Sequence, residues 1–348
     1  MRVLMMVLAL ASATPLAARE LAVPADKGWQ HQETGLVLMA RLAGLQRTAL
    51  SDTTQSEHDV AAQFTAPDES VIASVFLFKP AIADAALWFD RGATTLQANE
   101  VFRGAAPVSA APIGFAAGGA PVASSLRQVY TKATGPYRST ALAVMPLGDW
   151  IVAVRMSAKS LSADELDAGL MQLIGAIRWP AGAPAAAAAA PPAMAAVPVM
   201  ACAAPLSFRK AKALKPEGSS DMLMQLIGSI AGQEAATSAQ APPSRWCREG
   251  EARAEYGVYR SDREGAAGYA PALGDAGRIV WVEPSLMGQI EKTGRYSVSL
   301  ADVDGRTLAF PSFNGMPAPE QVWDLVGKGG PSAAMKGNVI TIDPKTLR

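Results

Sequence analysis

The sequence has 348 residues and no net charge, because its 31 Lys and Arg balance its 31 Asp and Glu. A balanced charge creates no positive field, so neither a nucleic acid nor an anionic membrane surface is an expected partner. Half of the residues are hydrophobic, although alanine inflates that share. A chain of this length is expected to form one or two domains, each able to bury a core.

Residues 1–18 have the pattern of a secretory signal peptide. Arg2 precedes an apolar stretch from Val3 to Ala11, and small residues follow it as at a cleavage site. The apolar stretch is much shorter than the roughly 20 residues of a membrane span. We therefore expect removal of 1–18 and a periplasmic or secreted protein with no membrane span after cleavage. A retained membrane anchor is the alternative.

An Ala- and Pro-rich segment divides the rest of the chain. Six alanines from Ala185 to Ala190 are followed by Pro191 and Pro192. Proline at this density excludes a continuous helix or strand and favours a semi-extended linker. The sequence thus predicts an N-terminal domain at 20–180, a linker at 181–199 and a C-terminal domain at 200–348, with each domain folding alone.

The N-terminal domain has the predicted order β-ββ-α-βββ-α. A helix is expected to begin after Pro80, with Ile82 and Phe89 near helical spacing. The capping box Ser162 to Glu165 is expected to start a second helix. Strands are predicted at 35–42, 60–65, 71–78, 125–131, 139–145 and 150–156.

The C-terminal domain also reads as a mixture of strands and helices. Asp304-Gly305 is a strong hairpin signal, and a short helix is expected from Pro319 to Val326. Strands are predicted at 206–212, 251–260, 278–283, 296–303, 306–310 and 338–342. The predicted fold class is α+β, with two domains that each have an antiparallel sheet and packed helices.

One eight-residue phrase occurs twice, since Leu170–Ile177 returns as Leu223–Ile230 with only the seventh position changed. Its apolar residues have helical spacing, so each copy is predicted to be a helix packed on a sheet. Gly175 and Gly228 are expected where the helix comes close to a neighbouring backbone, because glycine destabilises a helix without a packing reason. In architecture alone, the N-terminal domain resembles the α+β sandwiches of small exported proteins such as the photosystem-associated PsbP-like group, and such a likeness does not imply a function.

Cys202 and Cys247 are the only cysteines. In an exported chain an even count favours a disulfide, and two free thiols are the alternative. Metal binding is disfavoured because neither cysteine has a His or a second Cys at ligand spacing.

The two histidines provide little sign of a catalytic or metal site. His58 lies between Glu57 and Asp59, which suits a general base or a metal ligand. A solvated polar stretch before a strand explains the same residues better, and His31 has the same interpretation. The sequence predicts no catalytic residue, no metal and no cofactor.

Three short motifs do not indicate a function, because each lacks residues or the secondary structure that the function requires. The pair Ser207–Lys210 and Lys292–Gly294 matches two signatures of penicillin-recognising enzymes, but Ser207 falls in a predicted strand and the third signature is missing. Asp302–Gly305 begins like a calcium loop without its remaining ligands. Gly327–Gly330 follows a helix rather than a strand, so a helix cap explains it better than a phosphate loop.

An aromatic and acidic region of the C-terminal domain is the one candidate surface site. Rings and carboxylates together suit a carbohydrate groove, where rings stack on sugars and two carboxylates cleave the bond. The alternative is that the rings are core and the acids are solvated. The candidates are Tyr259, Asp262, Tyr269, Asp275 and Trp281, and the same region also contains Tyr256, Glu264 and Glu283.

From these features we expect a non-catalytic exported protein that binds another envelope component, a protein or a glycan. The rival is a hydrolase with a carboxylate pair in the C-terminal domain. A pair about 5 to 9.5 Å apart in a cleft would favour the hydrolase.

Overall fold

The computed structural model describes residues 18–180, 194–208, 210–215, 226–228, 245–263, 267–328, 330–337 and 339–342. The predicted signal peptide up to residue 17 and the linker from 181 to 193 lie outside the described residues. Glu264 and Arg209, within the candidate region and the Ser207 motif, lie outside them as well. No helix in the described part of the chain is long and apolar enough to cross a membrane.

In the described ranges, ten strands form the first sheet in the order β1-β5-β6-β7-β12-β11-β10-β8, with β4 beside β5 and β9 beside β10. Neighbours in this sheet are antiparallel. A separate pair is formed by β2 and β3. The strands are β1 (Arg19–Glu20), β2 (Trp29–Gln30), β3 (Val37–Leu38), β4 (Arg41–Leu42), β5 (Leu45–Asp52), β6 (Asp59–Thr65), β7 (Val71–Phe78), β8 (Ala106–Pro107), β9 (Ile113–Phe115), β10 (Ser125–Thr131), β11 (Ser139–Leu147) and β12 (Trp150–Ala158).

The first sheet is covered by one helix on each face. α1 (Ala85–Ala98) packs with Leu142 and Val144, whereas α2 (Ala163–Ala176) packs with Ala141 and Ala143. Because successive strand residues point to opposite faces, the two helices lie on opposite sides of the sheet. The central strand β11 is therefore buried on both faces.

Each helix begins at a capping residue. Ser162 and Glu165 form the predicted capping box, in which both reciprocal bonds are present. α1 begins at Ala85, later than predicted, because Asp84 is its cap and accepts a bond from the Leu87 N–H at 2.8 Å. A short 3-10 helix, Glu100–Phe102, follows α1.

The second sheet contains nine strands within the described residues, in the sequential order β13 to β21. β13 and β14 are parallel and the other neighbours are antiparallel. The elements are β13 (Met200–Ala201), β14 (Trp246–Arg248), β15 (Tyr256–Ser261), β16 (Ala270–Leu273), β17 (Arg278–Pro284), α3 (Leu286–Ile290), β18 (Tyr296–Ala301), β19 (Arg306–Phe313), α4 (Pro319–Lys328), β20 (Ala333–Lys336) and β21 (Val339–Ile342).

Two strand predictions in this half differ from the structure. The described residues 206–208 and 210–212 are not in a strand, and the nearest pairing is an isolated bridge between Ala213 and Phe313. Of the predicted strand 251–260, only 256–260 belongs to a strand, β15, whereas 251–255 lie outside the strands. The expected Asp304-Gly305 turn between β18 and β19 is confirmed, and Gly305 has a φ of 79°.

α1 lies between the two sheets. Tyr259, Ile279 and Trp281 of the second sheet share one core cluster with Trp88 of α1 and Leu142 of the first sheet. The chain is mostly β-sheet with few helices and two sheet groups, so the α+β prediction holds only in part. α1 was predicted as part of the N-terminal domain alone. It is instead a layer shared by the two sheets, because its buried apolar residues pack against both of them.

The repeated phrase can be compared over part of its length. The first copy lies in α2, and Leu173 is fully buried. Of the second copy, residues 226–228 are described and helical; Leu226 is buried whereas Ile227 is 45% exposed. Glycine does not have the same role in both copies: a Cβ on Gly228 would lie 3.2 Å from Leu286, but nothing lies within 4 Å of one on Gly175. The expected close approach at Gly175 is therefore wrong.

Candidate functional site

The three aromatic candidates are buried and belong to two different cores. Tyr259 and Trp281 pack toward α1, whereas Tyr269 packs on the opposite side of the second sheet. The Tyr269 hydroxyl donates to the carbonyl of Pro317 at 2.7 Å. The structure does not bring these rings together on one surface.

The two acidic candidates are also engaged, and in separate places. Asp262 is exposed and accepts a bond from the backbone N–H of Arg245 at 2.8 Å. Asp275 accepts bonds from Arg155 and from the Thr95 hydroxyl, both in the N-terminal half. Asp275 therefore joins the two halves of the chain rather than pairing with Asp262.

Asp90 of α1 is the centre of a polar contact between the halves. Its two carboxylate oxygens accept bonds from Arg248 and from the Tyr259 hydroxyl, each at 2.6 Å. Burial, followed by the charge of Asp90, raises the pKa of Tyr259 above its usual range, so the hydroxyl remains a donor. Tyr259 thus serves as an interdomain contact.

Arg91, the next residue of α1, is fully buried and bridges the same interface. Its guanidinium donates to three backbone carbonyls of the C-terminal half, those of Gly274 at 2.7 Å and of Arg253 and Ala254 at 2.8 Å each. Gly257 permits this approach, since an added Cβ there would lie 3.0 Å from Nη1 of Arg91. We call Asp90, Arg91 and their partners the interdomain clasp.

Sequence reasoning missed the interdomain clasp. The available signal was Asp90-Arg91, two charged residues inside a helix whose neighbours Trp88 and Phe89 are core residues. Buried charges are almost always paired, so charges at this position imply partners. Those partners lie more than 150 positions further along the chain, where no local pattern indicates them.

Both histidines converge on Trp150, with ring centroids 4.5 Å from it for His31 and 5.5 Å for His58. His31 accepts the backbone N–H of Thr34 at Nδ1 and lies 3.2 Å from the carbonyl of Glu57 at Nε2, which makes it a neutral Nε2–H ring. Burial lowers the pKa of His31 and thus favours the same form. This histidine has a structural role.

His58 connects the two halves. Its Nδ1 lies 3.1 Å from the carbonyl of Val303, and its Nε2 lies 2.9 Å from the carboxylate of Glu33. Both partners are hydrogen-bond acceptors. Among the described residues, no three His, Cys, Asp or Glu side chains are arranged to hold a metal.

The two cysteines form the expected disulfide. Their Cα atoms are 4.9 Å apart and the bond joins positions 45 residues apart. It lies beside the parallel pairing of β13 and β14, where Met200 opposes Cys247. The disulfide therefore fixes the start of the C-terminal half onto the edge of its sheet.

An apolar crevice lies between α4 and the second sheet. It leaves no interior space for a molecule of the size of water, and Tyr256 and Trp323 stack at its edge with centroids 5.3 Å apart. Drug-sized ligands occupy pockets of roughly 300 to 1,000 Å³. The crevice is too small for a ligand of that class.

β21 is the most open sheet edge in the described part of the chain. The other described strands at the edges of the two sheets are β1, β4, β8, β9 and β13, which have two or three residues each, and β8 contains Pro107. β21 has four residues, Val-Ile-Thr-Ile, without charge or proline. Short length, charge and proline are the usual protections against edge pairing. β21 has neither charge nor proline, and it is longer than the other edge strands.

Half of the backbone groups of β21 point away from the sheet. Two residues connect β20 to β21, and Lys336 pairs with Val339. In such a hairpin the pair next to the turn exchanges both backbone hydrogen bonds, and alternate pairs do so after it. Val339 and Thr341 therefore bond to β20, and the N–H and C=O of Ile340 and Ile342 face outward.

Three exposed apolar side chains of the C-terminal half are linked to this edge through the helical segment 226–228. Ile227, Leu286 and Ile340, which we call the C-terminal patch, are 45%, 40% and 43% exposed. The helical segment 226–228 connects them, since Leu226 is buried against the cluster that Ile342 joins and Gly228 contacts Leu286. A grouped set of this kind marks an interaction surface more often than scattered apolar residues do.

No known protein family, no curated protein and no solved structure matches this chain.

Proposed function

We propose that this chain is a non-catalytic exported binding protein whose partner, another protein of the cell envelope, docks on the C-terminal patch and β21. The observation that carries the proposal is the outer edge of the four-residue strand β21, with which no other described strand pairs, beside exposed apolar side chains. Unpaired edges and apolar patches are the features through which sheet proteins associate.

Two features support export. The first 18 residues have the signal-peptide pattern, and the Cys202–Cys247 disulfide is of a type that persists in oxidising compartments. An exported location would place the open edge of β21 among envelope proteins.

A hydrolase with a carboxylate pair is the second candidate, and Glu283 is the observation in its favour. Burial raises the pKa of Glu283, as in many general acids. The two acids that the sequence grouped with it weaken this candidate, since Asp262 and Asp275 are held by Arg245 and by Arg155 with Thr95. A binding role leaves those contacts intact.

The test is a quantitative pull-down from an envelope fraction with the mature chain as bait. Leu286→Asp places a charge in the C-terminal patch, at the first residue of α3, where an acid is compatible with the helix. Val108→Asp is the matched control, since Val108 is 55% exposed and lies next to β8. We expect a protein that the unchanged chain and the control retain equally.

The Leu286→Asp variant should retain that protein about 30-fold less, the effect of losing a contact worth about 2 kcal/mol. Equal retention by both variants, with unchanged melting temperatures, would contradict the proposal. Loss of a bound protein from Val108→Asp alone would contradict it as well.

A further inference from the structure

We infer that the partner supplies an extended segment, which joins the second sheet as a strand beside β21. The inference rests on the proposed function, because it names the kind of partner that the C-terminal edge accepts. Strand addition of this kind derives its affinity from main-chain hydrogen bonds and its specificity from alternate side chains.

The backbone of β21 provides the first argument. Ile340 and Ile342 each direct one N–H and one C=O away from β20, given the hairpin register. An extended segment with the same spacing satisfies these two donors and two acceptors together with its own backbone. The backbone of a helix does not, because its N–H and C=O groups bond within the helix.

The side chains of the edge define the sequence that fits. On one face of the sheet, Ile340 lies opposite Met335 of β20 and Ile342 lies opposite Ala333. The buried Leu226 packs against the same cluster. Residues of the added strand that point to this face should be apolar, because they extend the same apolar surface.

On the other face the edge is exposed and partly positive. Val339 and Thr341 are exposed, and the side chain of Lys336, opposite Val339, is 58% exposed and forms an ion pair with Asp304 at 3.4 Å. The side chain of Arg306, opposite Lys336 on β19, is 48% exposed and also pairs with Asp304, so two cations share one acid here. Residues of the added strand on this side should be polar or acidic. The partner is therefore an extended segment in which apolar residues alternate with polar and acidic ones.

A second copy of this chain fits less well. Pairing β21 with β21 of another copy extends the sheet edge to edge and leaves Ile227 and Leu286 exposed above one face. A partner with structure beyond its extended segment also covers these two side chains. Self-pairing is accordingly an outcome that the experiment must detect.

The experiment titrates a fluorescent peptide of alternating valine and glutamate into the mature full-length chain and follows anisotropy. Its control is the same peptide with N-methyl groups on alternate amides, which removes donors and keeps the side chains. Ile340→Pro removes an outward N–H, a position where an edge strand tolerates proline. Ile340→Val keeps the N–H and serves as the control variant.

We expect binding of the peptide to the unchanged chain and to Ile340→Val, with at least 10-fold weaker binding to Ile340→Pro and of the methylated peptide. Equal affinity of the two peptides, or no binding at millimolar concentration, overturns strand addition. So does a chain that is dimeric by ultracentrifugation and becomes monomeric in Ile340→Pro.

These outcomes are separable from a failure of the proposed function. If Leu286→Asp loses the envelope partner while the peptide fails to bind, the docking surface stands and the strand mechanism falls. If Leu286→Asp retains every protein that the unchanged chain retains, the proposed function itself falls, whatever the peptide does.

Discussion

Removal of the Arg91 guanidinium should destabilise the whole chain. In Arg91→Met the side chain still fills apolar space, but the carbonyls of Gly274, Arg253 and Ala254 lose their donor. These bonds join α1 to the second sheet, so their loss affects the contact between the halves as well as the helix.

The magnitude follows from the number and type of bonds. A hydrogen bond to a charged group contributes about 1.5 to 3 kcal/mol. At the lower value, three bonds amount to roughly 4.5 kcal/mol, a large part of the 5 to 15 kcal/mol by which a typical protein is stable. Arg91→Lys should recover only a minor part, because an ammonium lacks the planar fork that reaches three carbonyls.

The assay is urea unfolding followed by tryptophan fluorescence. Arg138→Met is the matched control, since Arg138 is exposed and donates one bond, to the carbonyl of Ser160 at 2.9 Å. We expect a loss near 4.5 kcal/mol for Arg91→Met and less than about 1 kcal/mol for Arg138→Met. Equal losses in the two variants would refute the interdomain clasp as a source of stability.

Two further predictions concern acid stability and the linker. Burial lowers the pKa of His31, so below about pH 6.5 the unfolded ring binds a proton that the folded ring does not. The unfolding free energy should therefore fall as the pH drops from 7.5 to 5.5, and less steeply in His31→Gln; identical slopes would contradict the assignment. Cleavage within 181–193 should leave two pieces that co-elute on gel filtration and separate in urea, because α1 packs against both sheets; separation without urea would show that the shared core is not stable.

Much of the N-terminal half was predictable from local patterns. β7 and β10 have the predicted bounds, because alternating or apolar β-rich residues are enclosed by turn residues. The capping box at Ser162 identified the start of α2 correctly. β5 (Leu45–Asp52) was missed because the polar residues Arg47 and Asp52 occupy buried positions, where the alternating pattern requires apolar residues.

The interdomain contacts were not predictable in the same way. Asp90 and Arg91 have a helical pattern that indicates burial, but their partners depend on how the sheets pack. The aromatic candidates show the same limit. Tyr259 lies in β15 and Tyr269 directly before the neighbouring β16, and strand register decides which face each ring occupies. The disulfide was predictable because only one pairing exists.

Amide hydrogen exchange along β21 in the free mature chain tests the central claim most directly. The hairpin register predicts fast exchange at Ile340 and Ile342, whose N–H groups face outward, and slower exchange at Val339 and Thr341, which bond to β20. Slow exchange at Ile340 and Ile342 would mean that the edge is already covered, and uniformly fast exchange would mean that β21 is not a formed edge. Either result would contradict the claim that the outer edge of β21 is available for pairing with a partner.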